Sequence, residues 1–291
     1  MNKSFFKRPF YNIAGKISKV MRDFQKSEDE KLIKIRNESW NQLFNGKESF
    51  TFSLNKDIKI NLYKDSVLSK LIFDGFETAE TEFICSVLQE GDIFVDVGAN
   101  IGLFSLIASK FVGPEGLVIC FEPSPTTFDR LVENVNQNCL ENIDLRNIGL
   151  SNSSGELTFY ISENGYDAWN SFAPGQDNKL QRSIQVPVST LDKELSGIDK
   201  SRVKVIKIDV EGWEKFVLYG GQAFLKEYSP IVIVEFTEEN TFNAGYPVYD
   251  LYDIMENYGY SWHIIKNGRL IKEKKKLHYP YINLVAIKTK N

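Results

Sequence analysis

The sequence predicts an α/β fold built around a doubly wound, mostly parallel sheet. Three observations predict it: short apolar runs alternate with helical patterns from about residue 75, acids close several of these runs, and a glycine-containing turn follows the first. At 291 residues, with 42% hydrophobic and 25% charged residues, the chain can bury a large core. We predict a helical and mixed extension over residues 1–75 and the main domain over residues 76–291.

The main domain begins with a βαβ unit. The run 93–98 (IFVDVG) predicts a buried strand, the all-round apolar segment 103–112 predicts a buried helix, and 117–122 predicts a second strand. Ser124 and Pro125 then predict the start of another helix, because serine caps helices and proline suits the first helical position.

The pattern changes after a third strand, predicted at 143–148. Residues 157–162 and 183–191 alternate apolar and polar side chains, which predicts an inserted antiparallel strand pair. They flank the long loop 163–182, and loops of that length are usually functional or mobile. The α/β alternation then resumes with a strand, a helix, a strand, a helix and a terminal strand pair at 203–209, 214–225, 230–236, 249–259, 260–265 and 282–288.

Composition excludes several classes of site. The two histidines, His263 and His278, offer little material for a histidine metal site or a Ser-His-Asp triad. The three cysteines lie in apolar patterns without CxxC pairs, which indicates buried thiols in a reducing compartment: Cys85, Cys120 and Cys139. No apolar run approaches the ~20 residues of a membrane span, and no signal peptide is evident, so we predict a cytoplasmic protein.

Charge is unevenly distributed along the chain. Residues 1–26 carry a net charge of plus six and residues 264–291 carry plus seven. Because the whole chain carries minus four, residues 27–263 carry a net charge of minus seventeen. A strongly acidic centre argues against nucleic acid as a partner. The first segment has an apolar helical stripe, which predicts packing on the domain or on a second copy of the chain, or a peripheral contact with the inner face of an anionic membrane.

The turn after the first strand indicates a nucleoside-bearing cofactor. Glu122 follows Gly102 by twenty residues, the distance at which an acid reaches a ribose diol. A dinucleotide site requires GxGxxG, but Asn100 occupies the second glycine position and would crowd a pyrophosphate. Asp96, two residues before Gly98, adds a negative charge that suits a cationic ligand. These features favour S-adenosylmethionine, which has a ribose diol, an ammonium, a sulfonium and no phosphate.

Several motifs together resemble the FkbM family of S-adenosylmethionine-dependent methyltransferases, over roughly residues 66–236. They are DVGANIG at 96–102, FEPSP at 121–125, the LxxNVxxN pattern beginning at Leu131, VIKIDVEGWEKFVLYGG at 205–221, and a glycine-aromatic-glutamate element at 75–77. The resemblance implies a Rossmann-like class I methyltransferase fold. It also implies O-methylation of a sugar hydroxyl, often in surface glycan biosynthesis, or of a polyketide or other small-molecule hydroxyl.

The resemblance and the strand ends together assign roles. The expected cofactor-binding residues are Glu77, Asp96, Gly98, Asn100, Gly102, Glu122, Pro123, Ser124 and Asn147. For catalysis we expect Asp209 to accept the proton of the acceptor hydroxyl, Glu211 to position the acceptor, and Lys207 to adjust the local charge. The candidate substrate contacts are Trp169, whose ring can stack on a sugar, and Trp213, which lies beside Asp209 and Glu211 in the sequence.

Three alternatives stay open. Asp209 and Glu211, with Glu235, can offer oxygen ligands to magnesium, but carboxylates at strand ends are common without metal, so a metal-free site is favoured. A nicotinamide-dependent oxidoreductase is disfavoured by Asn100. A non-catalytic binding protein is disfavoured because the GxNxG turn, Glu122 and Asp209 are all intact.

Overall fold

The computed structural model describes residues 38–162, 170–175 and 181–288. The chain divides into two compact units, residues 1–50 and 51–291. In the smaller unit, residues 38–43 are helical, and Trp40 and Phe44 are buried and pack edge to face. The amphipathic stretch predicted within residues 1–26 and the candidate Trp169 lie outside the described residues.

The strands alternate with helices as predicted. The strands are β1 (Ser49–Ser53), β2 (Lys59–Tyr63), β3 (Ile93–Val97), β4 (Leu117–Phe121), β5 (Ile143–Arg146), β6 (Gly149–Leu150), β7 (Gly155–Ser162), β8 (Gln181–Ser189), β9 (Val203–Ile208), β10 (Ile231–Phe236), β11 (Tyr260–Lys266), β12 (Arg269–Lys272) and β13 (Ile282–Lys288). The helices are α1 (Val67–Phe73), α2 (Thr78–Val87), α3 (Leu103–Val112), α4 (Pro125–Gln137), α5 (Leu191–Glu194), α6 (Glu214–Gly220), α7 (Gln222–Glu227), α8 (Glu238–Asn243) and α9 (Tyr249–Asn257).

An eight-stranded sheet forms the centre of the larger unit, in the order β12-β11-β13-β10-β9-β3-β4-β5. The five strands from β10 to β5 are parallel, whereas β13 is antiparallel to β10 and β11 is antiparallel to β13. This confirms the predicted doubly wound, mostly parallel sheet. The chain runs outward in one direction from β3 to β5 and in the other from β9 to β10, so the switch point lies between β3 and β9.

Burial on both faces explains why the central strands are apolar throughout. All five residues of β3 are buried, as are all but one in each of β4, β9 and β10. Helix α3 is apolar nearly all round because eight of its ten residues are buried. Helix α4 begins as predicted, with the Ser124 hydroxyl accepting a hydrogen bond from the Thr127 amide and Pro125 in the first turn.

The single helix predicted at 214–225 is wrong, because it breaks at Gly221 into α6 and α7. Both central glycines lie against neighbouring chain: a Cβ on Gly220 would lie 2.0 Å from the Ser151 carbonyl oxygen, and one on Gly221 would lie 2.7 Å from Leu191. The third strand also ends at Arg146, two residues earlier than predicted.

The inserted strand pair is confirmed, since β7 and β8 are antiparallel over their length. The short strand β6 adds a parallel partner to β8, so the insertion is a separate three-stranded sheet. The terminal strand pair is also confirmed as β11 and β13, with β12 forming a hairpin on β11. Within the described ranges, no helix combines the length and apolar character needed to cross a membrane.

Candidate functional site

A cavity of about 770 Å³ lies at the carboxyl ends of the central strands, where the switch point predicts a ligand site. Eight residues predicted from the sequence line it: Glu77, Gly98, Asn100, Glu122, Pro123, Lys207, Asp209 and Glu211. Five other predicted residues do not line it: Asp96, Gly102, Ser124, Asn147 and Trp213.

The turn after β3 requires glycine because two chain segments approach it closely. Gly98 has a φ of +85°, and a Cβ there would lie 1.9 Å from the Asp209 carbonyl oxygen. Gly102 has a φ of +95°, and a Cβ there would lie 2.6 Å from the Leu131 side chain. The first glycine therefore lets the loop after β9 lie directly against the turn after β3.

Glu122 is fixed by the backbone around it. Its two carboxylate oxygens accept hydrogen bonds from the Asn100 amide at 3.0 Å and the Ser124 amide at 2.9 Å. The Asn147 side-chain amide donates to the Glu122 carbonyl oxygen at 2.7 Å. Ser124 and Asn147 thus act on Glu122 rather than on the cavity itself, and the carboxylate is held in one orientation at the cavity wall.

Asn100 presents an acceptor to the cavity. Its backbone is left-handed, with φ of +49°, a conformation that asparagine tolerates better than most residues. Its Oδ1 atom is buried and has no hydrogen-bond partner among the described residues. A buried amide oxygen is costly when unpaired, so a ligand that brings a hydroxyl or ammonium donor fits this position.

Lys207 lies at the base of the cavity with 3% of its side chain exposed. Its Nζ atom lies 2.5 Å from Asp209 Oδ2, 3.8 Å from Glu77 Oε2 and 4.5 Å from the centroid of the Phe104 ring. Burial alone would lower the pKa of Lys207, but the carboxylates of Asp209 and Glu77 outweigh it and raise the pKa. A permanent ammonium therefore accompanies Asp209.

Asp96 supports this ammonium from inside the fold. It is the cross-strand neighbour of Lys207 in the β3–β9 pair and is 1% exposed. Its Oδ2 atom accepts a 2.5 Å hydrogen bond from the Ser105 hydroxyl. Burial raises the pKa of Asp96, while Lys207 lowers it. The structure thus places Asp96 beneath the cavity, next to the cation.

Glu77 is anchored by the terminal strand region. Its Oε1 atom accepts hydrogen bonds from the Tyr281 hydroxyl at 3.0 Å and the Asn283 amide at 2.7 Å, and its backbone is left-handed with φ of +49°. Burial raises the pKa of Glu77, and Lys207 opposes that rise. Sequence reasoning missed Tyr281 and Asn283, because they lie about two hundred residues from Glu77 and no local pattern marks the pairing.

The loop after β9 places Glu211 in a strained conformation, with φ of +52°. Its Oε2 atom accepts a short hydrogen bond from the Asn240 amide, and its carbonyl oxygen accepts one from the Ser171 hydroxyl at 2.7 Å. Burial raises the pKa of Glu211 well above its ordinary value, and the charge of Asp209 raises it further. Gly212 follows with φ of +97°, and a Cβ there would lie 2.4 Å from the Asn240 carbonyl oxygen. Both features require glycine at this position.

Glu214, which the sequence analysis did not single out, shapes that loop. Its Oε1 atom accepts hydrogen bonds from the amides of Val210 at 3.0 Å and Gly212 at 3.1 Å. The Tyr246 hydroxyl donates to the Gly212 carbonyl oxygen at 2.8 Å and so closes the loop from the other side. The sequence does carry a signal for this role of Glu214: it is an acid in the first turn of a helix, directly after a loop that contains glycine.

We expect Glu214 to make stability depend on pH. Burial raises its pKa from 4.5 to about 7, so the folded chain binds more protons than the unfolded chain between those values. Stability contributed by this group is therefore present below pH 4.5 and lost as pH rises towards 7, by about 3 kcal/mol at most. Urea denaturation at pH 5 and pH 8 should show a smaller pH difference for Glu214→Gln than for the unsubstituted chain. An equal difference in both proteins would contradict this role.

Three carboxylates converge on one wall of the cavity. Single oxygen atoms of Asp209, Glu211 and Glu235 lie within 4.8 Å of one another. Glu235 is 5% exposed, and its Oε2 atom has no hydrogen-bond partner among the described residues. Burial raises the pKa of Glu235 well above its ordinary value, and Glu211 raises it further. The cluster can receive a cation or a proton-donating group.

Trp213 contacts the insertion sheet instead of the cavity. Its indole donates a hydrogen bond to the Ser151 hydroxyl at 3.1 Å, and its ring stacks on Phe216 with centroids 4.0 Å apart. Phe172, from the loop between β7 and β8, does line the cavity and packs 5.5 Å from the Trp213 ring. Trp213 therefore supports a residue of the cavity wall without forming part of it.

Comparison with known proteins identifies related chains. A family model described as the methyltransferase FkbM domain matches residues 96–262. A hexuronic acid methyltransferase, AglP, of Haloferax volcanii is 33% identical over 147 residues, which cover 50% of this chain and 56% of that protein. Methyltransferase sdnD of Sordaria araneosa is 30% identical over 163 residues, covering 46% and 61% respectively. These matches thus span a little over half the length of the two relatives.

Among solved structures, the methyltransferase FkbM of Methylobacillus flagellatus KT superposes with a TM-score of 0.44 at 15% identity. The superposition covers 75% of this chain and 53% of that one.

Proposed function

Because the chain belongs to the FkbM methyltransferase family, we propose that it is an S-adenosylmethionine-dependent O-methyltransferase acting on a carbohydrate hydroxyl. The observation that carries the proposal is the meeting of two features in one cavity. Glu122 is held at the end of β4 by backbone amides, and the Asp209–Lys207 pair lies at the end of β9, against the Gly98 turn. One feature suits a ribose diol and the other suits proton removal.

The residues present fit this cofactor. Glu122 would accept the two ribose hydroxyls, and Pro123 would lie against the base. Asn100 Oδ1 and Glu77, both at the cavity wall, would receive the ammonium of the amino-acid part. The acids at the strand ends repel a pyrophosphate, which supports this cofactor over a dinucleotide. When bound, S-adenosylmethionine supplies an electrophilic methyl group that an alcohol oxygen can take.

Asp209 is the proposed proton acceptor for the acceptor hydroxyl. Its side chain is 22% exposed and lines the cavity, so an acceptor can reach it. The ammonium of Lys207 at 2.5 Å fixes one carboxylate oxygen by a charge-assisted hydrogen bond. Glu211, fixed by Asn240, would orient the acceptor by a hydrogen bond.

The carbohydrate part of the proposal is supported by the relative named as a hexuronic acid methyltransferase. A role in surface glycan biosynthesis is proposed from the resemblance to the FkbM family. The amides of Asn240 and Asn243, which line the same wall as Glu211, suit an acceptor with several hydroxyl groups.

Calorimetry followed by a transfer assay tests the proposal. We expect the full chain to bind S-adenosylhomocysteine and not NADH. We then expect transfer of a labelled methyl group from S-adenosylmethionine to carbohydrate in cell-envelope fractions. Binding of NADH, or of neither ligand, would refute the cofactor assignment, and label recovered only in non-carbohydrate products would refute the acceptor class.

Glu122→Gln is expected to weaken cofactor binding about 10- to 100-fold, because hydrogen bonds to a charged group contribute ~1.5–3 kcal/mol. The glutamine amide nitrogen would also face a backbone N–H of Asn100 or Ser124. Titration with S-adenosylhomocysteine measures the effect. Asp129→Asn, an exposed acid-to-amide change on the neighbouring helix α4, is the matched control and should bind as the unsubstituted chain does. Equal affinity of both variants would exclude Glu122 from the site.

A further inference from the structure

The wall of the cavity formed after β9 and β10 carries more acid than the proposed reaction requires. We call this wall the acceptor wall; its described residues are Asp209, Glu211, Glu235, Thr237, Glu239, Asn240 and Asn243. Four of them are acids, and the basic residue that the cavity places beside them is Lys207. The proposed reaction uses Asp209 to accept the proton and Glu211 to orient the acceptor, so the other two acids, Glu235 and Glu239, call for a separate explanation.

Glu235 indicates what kind of group these carboxylates bind. It is buried, its Oε2 atom has no hydrogen-bond partner among the described residues, and the residue lines the cavity. A carboxylate oxygen can only accept, unless it is protonated, so its natural partner is a hydrogen-bond donor or a cation. It is the penultimate residue of β10, beside the carboxyl end of that strand.

The geometry of the cluster favours a compact cation. One oxygen from each of Asp209, Glu211 and Glu235 lies within 4.8 Å of the others, and like charges at this distance repel. Lys207 neutralises Asp209, with which it makes its contact of 2.5 Å. Glu211 and Glu235 are left to share a further positive group.

Resting on the proposed function, we propose that the acceptor is a carbohydrate carrying a protonated amine, an amino sugar, whose ammonium lies between Glu235 and Glu211. Three donors on an ammonium match the carboxylate oxygens that converge there. The adjacent hydroxyl of the sugar would then face Asp209. The same carboxylates disfavour an acceptor that carries a carboxylate, so the likeness to the hexuronic acid methyltransferase supports a carbohydrate acceptor but not a uronic acid.

Proton release on binding gives the proposal a second signature. The carboxyls that face Glu235 are Asp209, Glu211 and Glu214, with Lys207 as the opposing charge, and Tyr281 lies in the field of the same group. Burial raises the pKa of both Glu211 and Glu235 well above the ordinary value of a glutamate. An entering ammonium favours their ionised forms, and binding should release protons to the buffer.

Ligand-observed NMR on the full chain tests the ranking of acceptors, with and without S-adenosylhomocysteine. The probes are the methyl glycosides of glucosamine, glucose and glucuronic acid, which share one ring. We expect glucosamine to bind about 10- to 100-fold more tightly than glucose, and glucuronic acid to bind most weakly. Calorimetry in two buffers of different ionisation enthalpy should show that protons are released when glucosamine binds and not when glucose or glucuronic acid binds. Equal affinities, or tightest binding of glucuronic acid, would overturn the proposal.

Two amide variants tie the ranking to the cluster. Glu235→Gln and Glu211→Gln should each reduce the preference for glucosamine over glucose to less than about threefold. Glu256→Gln, an exposed change on α9 away from the cavity, should keep the full preference. Thermal unfolding of each variant checks that the fold is intact. A preference that survives in both cluster variants would contradict the assignment.

A divalent cation is the competing occupant of the same carboxylates. Repeating the titrations after chelation, and again with millimolar Mg²⁺, separates the two. We expect glucosamine to bind after chelation and Mg²⁺ to compete with it weakly or not at all. If Mg²⁺ alone binds tightly and the sugars lose their ranking, the cluster is a metal site and the proposal fails. The cofactor titration reports separately on the proposed function. If S-adenosylhomocysteine still binds but the amino sugar is not preferred, only the amino-sugar proposal is refuted.

Discussion

Asp209→Asn is expected to lower the rate of methyl transfer about 10²- to 10⁴-fold, the range that general bases contribute. The amide cannot accept the hydroxyl proton, while it keeps the shape of the carboxylate. The Lys207 ammonium would lose its partner at 2.5 Å and retain Glu77 at 3.8 Å, so some loss of stability accompanies the change. Single-turnover transfer from labelled S-adenosylmethionine measures the chemical step separately from binding.

Two measurements keep this result interpretable. Binding of S-adenosylhomocysteine to Asp209→Asn should stay within about tenfold, that is about 1.4 kcal/mol, because the cofactor contacts are assigned elsewhere in the cavity. Asp57→Asn, an exposed acid-to-amide change outside the cavity, should retain full activity. A variant at position 209 that stays folded, binds the cofactor and transfers methyl groups at an undiminished rate would exclude Asp209 as the base.

Gly98→Ala is expected to destabilise the fold by about 3 kcal/mol or more and to abolish cofactor binding. The added Cβ would lie 1.9 Å from the Asp209 carbonyl oxygen, so the loop after β9 must move away from the turn after β3. Overpacking of this kind costs ~1–3 kcal/mol, and a left-handed backbone at a non-glycine residue adds ~1–3 kcal/mol. Chemical denaturation gives the stability change, and titration with S-adenosylhomocysteine gives the loss of binding.

Gly91→Ala is a matched control for this prediction. Gly91 has a φ of +88°, close to that of Gly98, but a Cβ there would meet nothing within 4 Å. It therefore shares the backbone strain without the collision. We expect a loss of about 1 kcal/mol and unchanged cofactor binding. If the two variants lose equal stability, the close approach of the β9 loop is not what requires glycine at position 98.

The fold was predictable because its signals are local. Runs such as 93–97 are buried on both faces, so they are apolar without interruption, and helix α4 carries its own start signal in Ser124 and Pro125. The helix predicted at 214–225 failed for a non-local reason. Gly220 and Gly221 fit against Ser151 and Leu191, which belong to other elements, and no pattern within the helix records those contacts.

The lining of the cavity was predictable only where strand ends supply its residues. Glu122, Lys207 and Asp209 are brought together because parallel strands end at one edge of the sheet. Sequence reasoning could not separate side chains that face the cavity from those that support it. Asn147 lies near a strand end yet acts on the Glu122 carbonyl oxygen. Tyr281 and Asn283 reach Glu77 only through the antiparallel addition of β13, which pairs distant parts of the chain.

Three residues of the cavity wall, Glu77, Asn100 and Glu211, hold left-handed backbones although none is glycine. The backbones of the two glutamates each cost ~1–3 kcal/mol and that of the asparagine less, so the rest of the fold must compensate for this strain. Evolution therefore faces a trade-off at these positions between stability and activity. If selection for methyl transfer were lost, a glycine at position 211 would relieve the backbone strain and remove the carboxylate at the same time. Retention of the three side chains in such backbones would mark a lineage that still uses the cavity.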